Sequence, residues 1–262
     1  MANPGGYVPF HHQFLLAQTF RGMMAKGGRL SEFDRKDYHF SSIKGLTRVS
    51  RKGLHFYSSR ATVVFSAADL DLISYLVDSL RKFPELNLGN LMLVPVGQEQ
   101  DSEPVFSSSE KFLCLSPLVP LAPGFQDESA KRFISPESVE FSDLLYESTL
   151  TRMETSGLFS PDELAEYFRF QIIPDAGYLQ RMEEAQKKIS RVYPLFDSDV
   201  RYEVRGYTFP FTLYADPKVQ QFIYRCGLGH AVKKGFGMLD LAGRDAAAAH
   251  REDAEGVAST RV

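Results

Sequence analysis

The chain has 262 residues, 44% of them hydrophobic, and a formal net charge of −3 at pH 7. This length suits one large domain or two of ordinary size, and the apolar content excludes a wholly disordered chain. So small a charge also excludes a globally basic protein, and a surface for a polyanion has to be built locally. No run of 18 apolar residues and no charged-then-apolar leader pattern occurs, so we expect no membrane partner and a cytoplasmic location.

The sequence has no spacing typical of a metal site. Cys114 and Cys226 lie far apart, and neither a Cys-x-x-Cys nor a His-Glu-x-x-His pattern occurs. We therefore expect no metal and no cofactor, and two distant cysteines fit a reducing compartment.

The first half, residues 1–105, is predicted to form one domain of alternating helices and strands. Leu70, Ile73, Leu76 and Leu80 recur on one face, which predicts an amphipathic helix. The predicted elements are a helix over 9–25, a strand over 38–43, a hairpin of 53–58 with 61–66, a helix over 68–82 and a strand over 91–96.

The second half, residues 106–242, is predicted to repeat this pattern. The predicted strands cover 112–119, 167–173, part of 202–214 and 236–241, and the predicted helices cover 138–154, 177–192 and 217–226. With 177–192 taken as a helical insertion, the order is β-α-β-β-α-β, the ferredoxin-like arrangement. We therefore predict an α+β fold of tandem ferredoxin-like (RRM-like) domains. Residues 243–262 are alanine-rich and charged, which predicts a disordered tail.

A glycine-rich loop joins the last predicted helix to the last predicted strand. Residues 227–238 read Gly-Leu-Gly-His-Ala-Val-Lys-Lys-Gly-Phe-Gly-Met. Glycines let a backbone approach its partner closely, and their N–H groups can cradle phosphates. Together with two lysines, this composition indicates a polyanionic partner.

In this order of elements, several segments resemble the CRISPR-associated endoribonucleases that cut repeat RNA, members of the RAMP superfamily. Residues 224–239 are similar to that family's C-terminal glycine-rich motif, and residues 207–213 are similar to the strand before it. Residues 113–119 resemble the strand that opens the second domain. The segment from Val8 to Leu16, with Tyr38–Ser41, resembles the first helix and second strand. The resemblance extends to about residue 242 and implies tandem ferredoxin-like domains.

The chain departs from the family pattern at two places. Only seven residues, rich in Gly and Pro, precede the first helix, too few for a good strand. The first strand of the N-terminal domain is therefore expected to be missing, either because the sequence is truncated there or because the strand is truly absent. A missing strand leaves a sheet edge that a partner could fill. Asp34 falls roughly where many members carry a histidine, and Arg21 falls at about the position of a family tyrosine. Lys36 fits a family basic position.

The resemblance implies RNA cleavage without a metal, in which a ribose 2′-hydroxyl attacks the adjacent phosphorus and leaves a cyclic phosphate. Such a reaction needs a base, an acid and a cation that stabilises the phosphorane. His39 is the predicted acid–base group, because strand alternation places it opposite Tyr38 and Phe40, on an open side near Lys36. Lys36 and Arg21 are the predicted cations. A surface histidine with no catalytic role is the alternative for His39.

The other histidines have structural alternatives of the same kind. His11 and His12 start the first helix, where packing or capping is the simpler interpretation, and His55 lies on the exposed face of the predicted hairpin. His230 lies in the glycine loop and could hydrogen-bond a phosphate, whereas His250 lies in the predicted tail.

RNA binding is predicted for two basic segments. The predicted residues are Gly227, Gly229, His230, Lys233, Lys234, Gly235 and Gly237 of the loop, with Arg48, Arg51 and Lys52 near the first-half hairpin. A solvated basic loop is the alternative for the hairpin residues. No RNP-type aromatic motif occurs, so contacts to stem shape and phosphates are expected rather than base stacking.

Three functions remain open from the sequence. The first is an endoribonuclease that cleaves CRISPR repeat RNA, bound as a hairpin or a single strand, to generate guide RNAs. The second is a non-catalytic subunit that holds guide RNA in an effector complex. The third, a small-ligand enzyme on a ferredoxin-like fold, is disfavoured because no carboxylate or metal cluster is evident. The expected partners are repeat RNA, other effector subunits and a second copy of the chain.

Overall fold

The computed structural model describes residues 6–122, 127–197 and 200–243. The predicted tail beyond residue 243 lies outside these ranges. The N-terminal domain contains β1 (Gly6–Val8), α1 (Gln13–Lys26), α2 (Leu30–Phe33), β2 (Tyr38–Phe40), β3 (Thr47–Ser50), β4 (Gly53–Phe56), β5 (Phe65–Ala67), α3 (Leu70–Lys82), β6 (Leu86–Leu88) and β7 (Leu91–Leu93).

The predicted absence of a first strand is wrong. Three residues, Gly6–Val8, form β1 and pair antiparallel with β4, which in turn pairs with β3. A short edge strand needs few residues, which is why a Gly-containing segment can supply it. α1 packs under this half of the molecule through Phe20, whose ring centroid lies 4.9 Å from that of Phe40.

The predicted hairpin of 53–58 with 61–66 is also wrong, because each of these segments pairs with a different strand. The hairpin joins β3 to β4 through a turn at Arg51 and Lys52, while β5 pairs with β2 instead. β3 is polar and largely exposed, so it lacks the apolar run that predicts a strand.

The C-terminal domain forms a second, four-stranded sheet. Its elements are β8 (Ser109–Cys114), α4 (Asp127–Ala130), α5 (Val139–Ser156), α6 (Pro161–Glu166), β9 (Phe170–Pro174), α7 (Ala176–Glu184), β10 (Ser190–Asp197), β11 (Val200–Tyr207), β12 (Phe211–Ala215), α8 (Pro217–Cys226), a 3₁₀ turn (Val232–Lys234) and β13 (Leu239–Leu241). The strand order β13-β8-β12-β9, all antiparallel, with α5 and α8 as the connecting helices, is the ferredoxin-like arrangement.

The predicted helix over 177–192 is only half right. α7 ends at Glu184, and Gln186 has a φ of +52°, which interrupts the helix. The chain then forms a long two-stranded hairpin, β10–β11, that packs on the first helix of the other domain. The ring centroids of Phe14 and Phe196 are 5.3 Å apart, and those of His11 and Tyr193 are 5.1 Å apart.

The described helices include none that is both long enough and apolar enough to cross a bilayer.

Candidate nucleic-acid interface and reaction site

The glycine loop packs between the two domains, against β2. We call this contact region the joint. Its four glycines have φ values between +74° and +89°, which favour glycine. A Cβ on Gly227 would lie 2.8 Å from Nδ1 of His39, and a Cβ on Gly235 would lie 2.6 Å from a ring carbon of Phe40. Both neighbours belong to β2. The close approach that these two glycines permit is therefore between parts of the protein.

Most of the loop amides that were predicted to cradle phosphates are already used. Hydrogen bonds run from the backbone N–H groups of Gly227, Gly235 and Gly237 to the carbonyl oxygens of Ile223, Val232 and Pro117, at 2.7, 3.1 and 2.8 Å. The N–H of His230 donates to Val119 at 3.0 Å. The cradle prediction is wrong at these amides, because an N–H that is donated inside the protein does not also bind a phosphate strongly.

The two loop lysines also point at protein groups. Nζ of Lys233 donates to the backbone oxygen of Asp34 at 2.6 Å and lies 4.0 Å from a carboxylate oxygen of Asp37. Burial lowers the pKa of Lys233. Nζ of Lys234 donates to the hydroxyl of Tyr202 at 3.0 Å. Lys233 thus ties the loop to the N-terminal domain, and Lys234 ties it to the β10–β11 hairpin.

Arg152 of α5 is a central residue of this joint that the sequence reasoning missed. Its Nη1 donates to the carbonyl oxygens of Gly227 and Gly229 at 2.9 and 3.3 Å, and its Nη2 donates to the carbonyl oxygen of Cys226. Nε lies 3.3 Å from a carboxylate oxygen of Asp37. Carbonyls at the end of a helix need such a donor. No local pattern around Arg152 signals this role, since every partner is distant in sequence.

His39 lies under the joint and not on an open face. Its side chain has no solvent exposure, and burial together with the nearby Arg152 guanidinium lowers its pKa to about 3. The prediction that strand alternation turns His39 outward is wrong, because the glycine loop covers the second face of β2. All three β2 residues are buried as a result.

The two predicted catalytic cations are held in separate ion pairs. Arg21 forms a bidentate pair with Asp34, at 2.7 and 3.1 Å, and Lys36 pairs with Asp69 at 2.9 Å. The positions where the family resemblance places a tyrosine and a histidine are therefore joined to each other by an Arg–Asp pair. The structure does not bring Arg21, Lys36 and His39 together on one open surface.

Three further histidines are held by structural contacts. His12 is buried, its Nδ1 lies 3.3 Å from the Pro9 oxygen, its Nε2 accepts from the amide of Ile43 at 3.2 Å, and burial lowers its pKa to about 4. Burial also lowers the pKa values of His11 and His230. His230 lines a cavity of about 280 Å³ beside α5.

The β3–β4 hairpin contrasts with the loop. Arg48, Arg51 and Lys52 are exposed, and in the described part of the chain none of the three side chains has an ion pair or hydrogen bond. Residues 38–68 contain five basic residues and no Asp or Glu. This segment therefore presents uncompensated positive charge to solvent. Across the described ranges, no group of three His, Cys, Asp or Glu side chains is arranged to hold a metal ion.

The C-terminal half of the chain matches a known protein family. Residues 101–241 match the family model described as CRISPR associated protein Cas6, C-terminal. The chain belongs to the Cas6 family. It is 22% identical over 245 residues to a CRISPR-associated endoribonuclease-like protein Cas6 of Pyrococcus furiosus, covering 89% of this chain and 92% of that protein. Membership supports a role in CRISPR RNA processing or binding.

Solved structures confirm the Cas6 fold. A Cas6-related protein from Pyrococcus furiosus aligns with a TM-score of 0.73 and 21% identity, over 93% of this chain and 94% of that one. A RAMP protein described as binding different RNA substrates aligns with a TM-score of 0.69 and 19% identity, over 90% and 93%. Both alignments cover the two domains, so the tandem ferredoxin-like prediction is confirmed.

Proposed function

We propose that this Cas6 family protein binds CRISPR repeat-derived RNA and holds it without cutting it. The observation that carries the proposal is the Arg21–Asp34 ion pair, which fills the positions where the family resemblance places a tyrosine and a histidine. A carboxylate paired with a guanidinium is a poor substitute for an imidazole that must exchange a proton near neutral pH.

The fate of the three predicted catalytic residues supports the same proposal. His39 is buried with its pKa lowered to about 3, so it is a weak base and has no access to a ribose hydroxyl. Arg21 and Lys36 are each paired with a different carboxylate. The exposed charges of Arg48, Arg51 and Lys52 are available for phosphates, and they favour binding.

Metal-independent cleavage by 2′-hydroxyl attack is the second candidate. It is favoured by the similarity to the Pyrococcus furiosus relative, which is described as an endoribonuclease-like protein. For this chain it requires an acid–base group other than His39 in its buried position, or an opening of the joint that exposes His39.

The deciding experiment incubates the full chain with repeat RNA in EDTA, beside the same RNA with a 2′-deoxy nucleotide at each candidate scissile position. We expect submicromolar binding of both RNAs in a filter assay and no product on a denaturing gel. Cleavage of the ribose substrate alone would reject the holding function and establish the second candidate.

A gain-of-function variant sharpens this test. The double variant Arg21→Tyr, Asp34→His removes the ion pair and restores the residue types that the family resemblance implies. If the two positions determine the loss of cutting, this variant cleaves repeat RNA in EDTA while the natural chain does not. The single variant Arg21→Tyr, which lacks a new imidazole, is the matched control and should remain inactive.

A further inference from the structure

One row of side chains crosses the solvent side of the three-stranded sheet β1-β4-β3. Tyr7 lies directly opposite His55, and His55 lies directly opposite Arg48. Val8 and Phe56, their neighbours along the strands, have no solvent exposure and point into the core. Side chains alternate along a strand, so the row faces away from the core. Directly opposite side chains have Cβ atoms about 5 Å apart, so the row is continuous.

Tyr57 adds one more side chain to the same face, next to His55 along the chain direction of β4. Its amide donates to the carbonyl oxygen of Leu46 at 3.1 Å, which continues the pairing of β4 beyond Phe56. Two positions separate Tyr57 from His55, so both side chains lie on the same face, and Tyr57 is 59% exposed. We call Tyr7, Arg48, His55 and Tyr57 the outer face. It presents three flat π-systems and a guanidinium.

The charge around the outer face is complementary to a polyanion. The surrounding segment, residues 38–68, carries five Lys or Arg residues and no acidic residue, although the whole chain is net negative. Arg51 and Lys52 form the turn at one end of the face. The described residues place no carboxylate against these basic side chains.

We infer that the outer face binds an unpaired segment of RNA, with Tyr7, His55 and Tyr57 stacked on bases and the arginine and lysine side chains on phosphates. This inference rests on the proposed RNA-holding function and names the form of RNA at one surface. Unpaired bases expose the flat faces on which aromatic side chains stack, whereas the bases of a stem are already stacked on one another. A purely electrostatic surface needs no aromatic row.

The aromatic side chains of the outer face are the reason why we infer base stacking here, whereas the sequence alone favoured contacts to stem shape and phosphates. That expectation followed from the lack of an aromatic motif in any one strand. The row is assembled from β1 and β4, which are far apart in sequence, and from β3. A pattern within one strand cannot report a row that runs across three.

The test measures binding of the full chain to two RNAs at fixed salt. One is an unstructured 12-nucleotide RNA with a central 2-aminopurine, and the other is a blunt hairpin without tails. Tyr7→Leu, His55→Leu and Tyr57→Leu should each weaken binding of the single strand by about five-fold or more. Each should also reduce the quenching of 2-aminopurine that stacking produces. Binding of the hairpin should change less than two-fold.

Two controls separate stacking from general damage. Tyr7→Phe keeps the ring and should bind the single strand like the natural chain. Phe168→Leu removes an exposed ring, 70% exposed, outside the outer face, and should have no effect. Because His55 and Tyr57 are exposed, their variants keep the test decisive even if Tyr7→Leu does not fold.

Two outcomes would overturn the inference. Leucine variants that bind and quench the single strand like the natural chain would show that the outer face does not stack bases. An equal loss for hairpin and single strand would show a surface that reads phosphates only. In both cases the natural chain still binds RNA and the proposed function survives. A natural chain that binds neither RNA would instead reject the proposed function itself.

Discussion

The glycine loop and the β3–β4 hairpin are both basic and glycine-containing, but their charged side chains have different surroundings. In the loop, Lys233 and Lys234 donate hydrogen bonds to groups of the protein, and two of the glycines allow β2 to pack closely against the loop. In the hairpin, Arg48, Arg51 and Lys52 face solvent. A basic glycine-rich segment can therefore join two domains as readily as it can bind a polyanion. Burial and hydrogen-bond partners distinguish the two roles, and composition does not.

The largest effect is expected for a methyl group added at the joint. Gly227→Ala introduces a Cβ 2.8 Å from His39 Nδ1 at a φ of +83°, and it should lower the free energy of unfolding by about 3 kcal/mol. Gly28→Ala is the matched control, since Gly28 also has a positive φ, +71°, but open space around its Cβ. We expect a loss of about 1 kcal/mol there. Equal losses in urea titrations would mean that the loop is not tightly packed.

The next effect concerns the guanidinium that binds the loop carbonyls. Arg152→Met leaves Asp37 and the carbonyl oxygens of Gly227 and Gly229 without this donor, which should lower the free energy of unfolding by about 2 kcal/mol. Arg81→Met, which removes an exposed pair with Asp78 and an exposed hydrogen bond to Gln98, should cost less than about 0.5 kcal/mol. Comparable thermal shifts for the two variants would contradict a structural role for Arg152.

Acid pH should destabilise the fold by a smaller amount per histidine and pH unit. The pKa values of His39 and His12 are lowered to about 3 and about 4, while each is 6.5 in the unfolded chain. Below pH 6.5 the unfolded chain therefore binds protons that the native chain does not, and stability falls as the pH falls. The loss is at most about 1.4 kcal/mol per histidine for each pH unit below 6.5.

The check is a series of unfolding titrations between pH 7.5 and 5, with His39→Gln as the comparison. The variant should show a pH slope that is shallower by up to one proton, whatever its stability at pH 7.5. An unchanged slope would mean that His39 is protonated in the native protein and that the joint admits water.

Substitutions in the hairpin should have the smallest effect on folding. Arg48→Gln, Arg51→Gln and Lys52→Gln together should change the free energy of unfolding by less than about 0.5 kcal/mol. They should also reduce the slope of log affinity for RNA against log salt by about 0.7 for each phosphate that the variant no longer neutralises. Lys233→Gln with Lys234→Gln should do the reverse, destabilising the fold with little change in salt slope. A larger slope change for the loop pair would assign phosphate binding to the loop after all.

The sequence predicted the regular parts of this fold well where caps mark the elements. α8 was predicted over its full length because Asp216 and Pro217 specify its start, and Asp69 and Ser138 cap α3 and α5 in the same way. The order of strands and helices was enough to recognise tandem ferredoxin-like domains. The wrong assignments fell on β1, the β3–β4 hairpin and the end of α7, which are short, polar or interrupted segments. Two further short elements, β6 and α6, were not predicted, although Ser160 and Glu163 form a capping box at the start of α6.

The candidate site was less predictable, for a physical reason. Alternation assigns one face of a strand to solvent, but β2 is covered on both faces because a second domain packs on it. His39 therefore looked exposed in sequence and is buried in the structure. Arg152 and Tyr7 carry no local signal at all. Their partners lie in other elements, and only the tertiary arrangement brings them together.

Because the glycine loop packs on β2, this strand is covered on both faces only late in translation. The loop is made roughly 190 residues after His39, which takes on the order of 10 to 40 s at ordinary translation rates. Until then the second face of β2, with His39, has no cover. During this interval the N-terminal half exposes that face while it is still attached to the ribosome. We therefore expect chaperone protection during translation to matter more for this chain than for a protein whose domains fold independently.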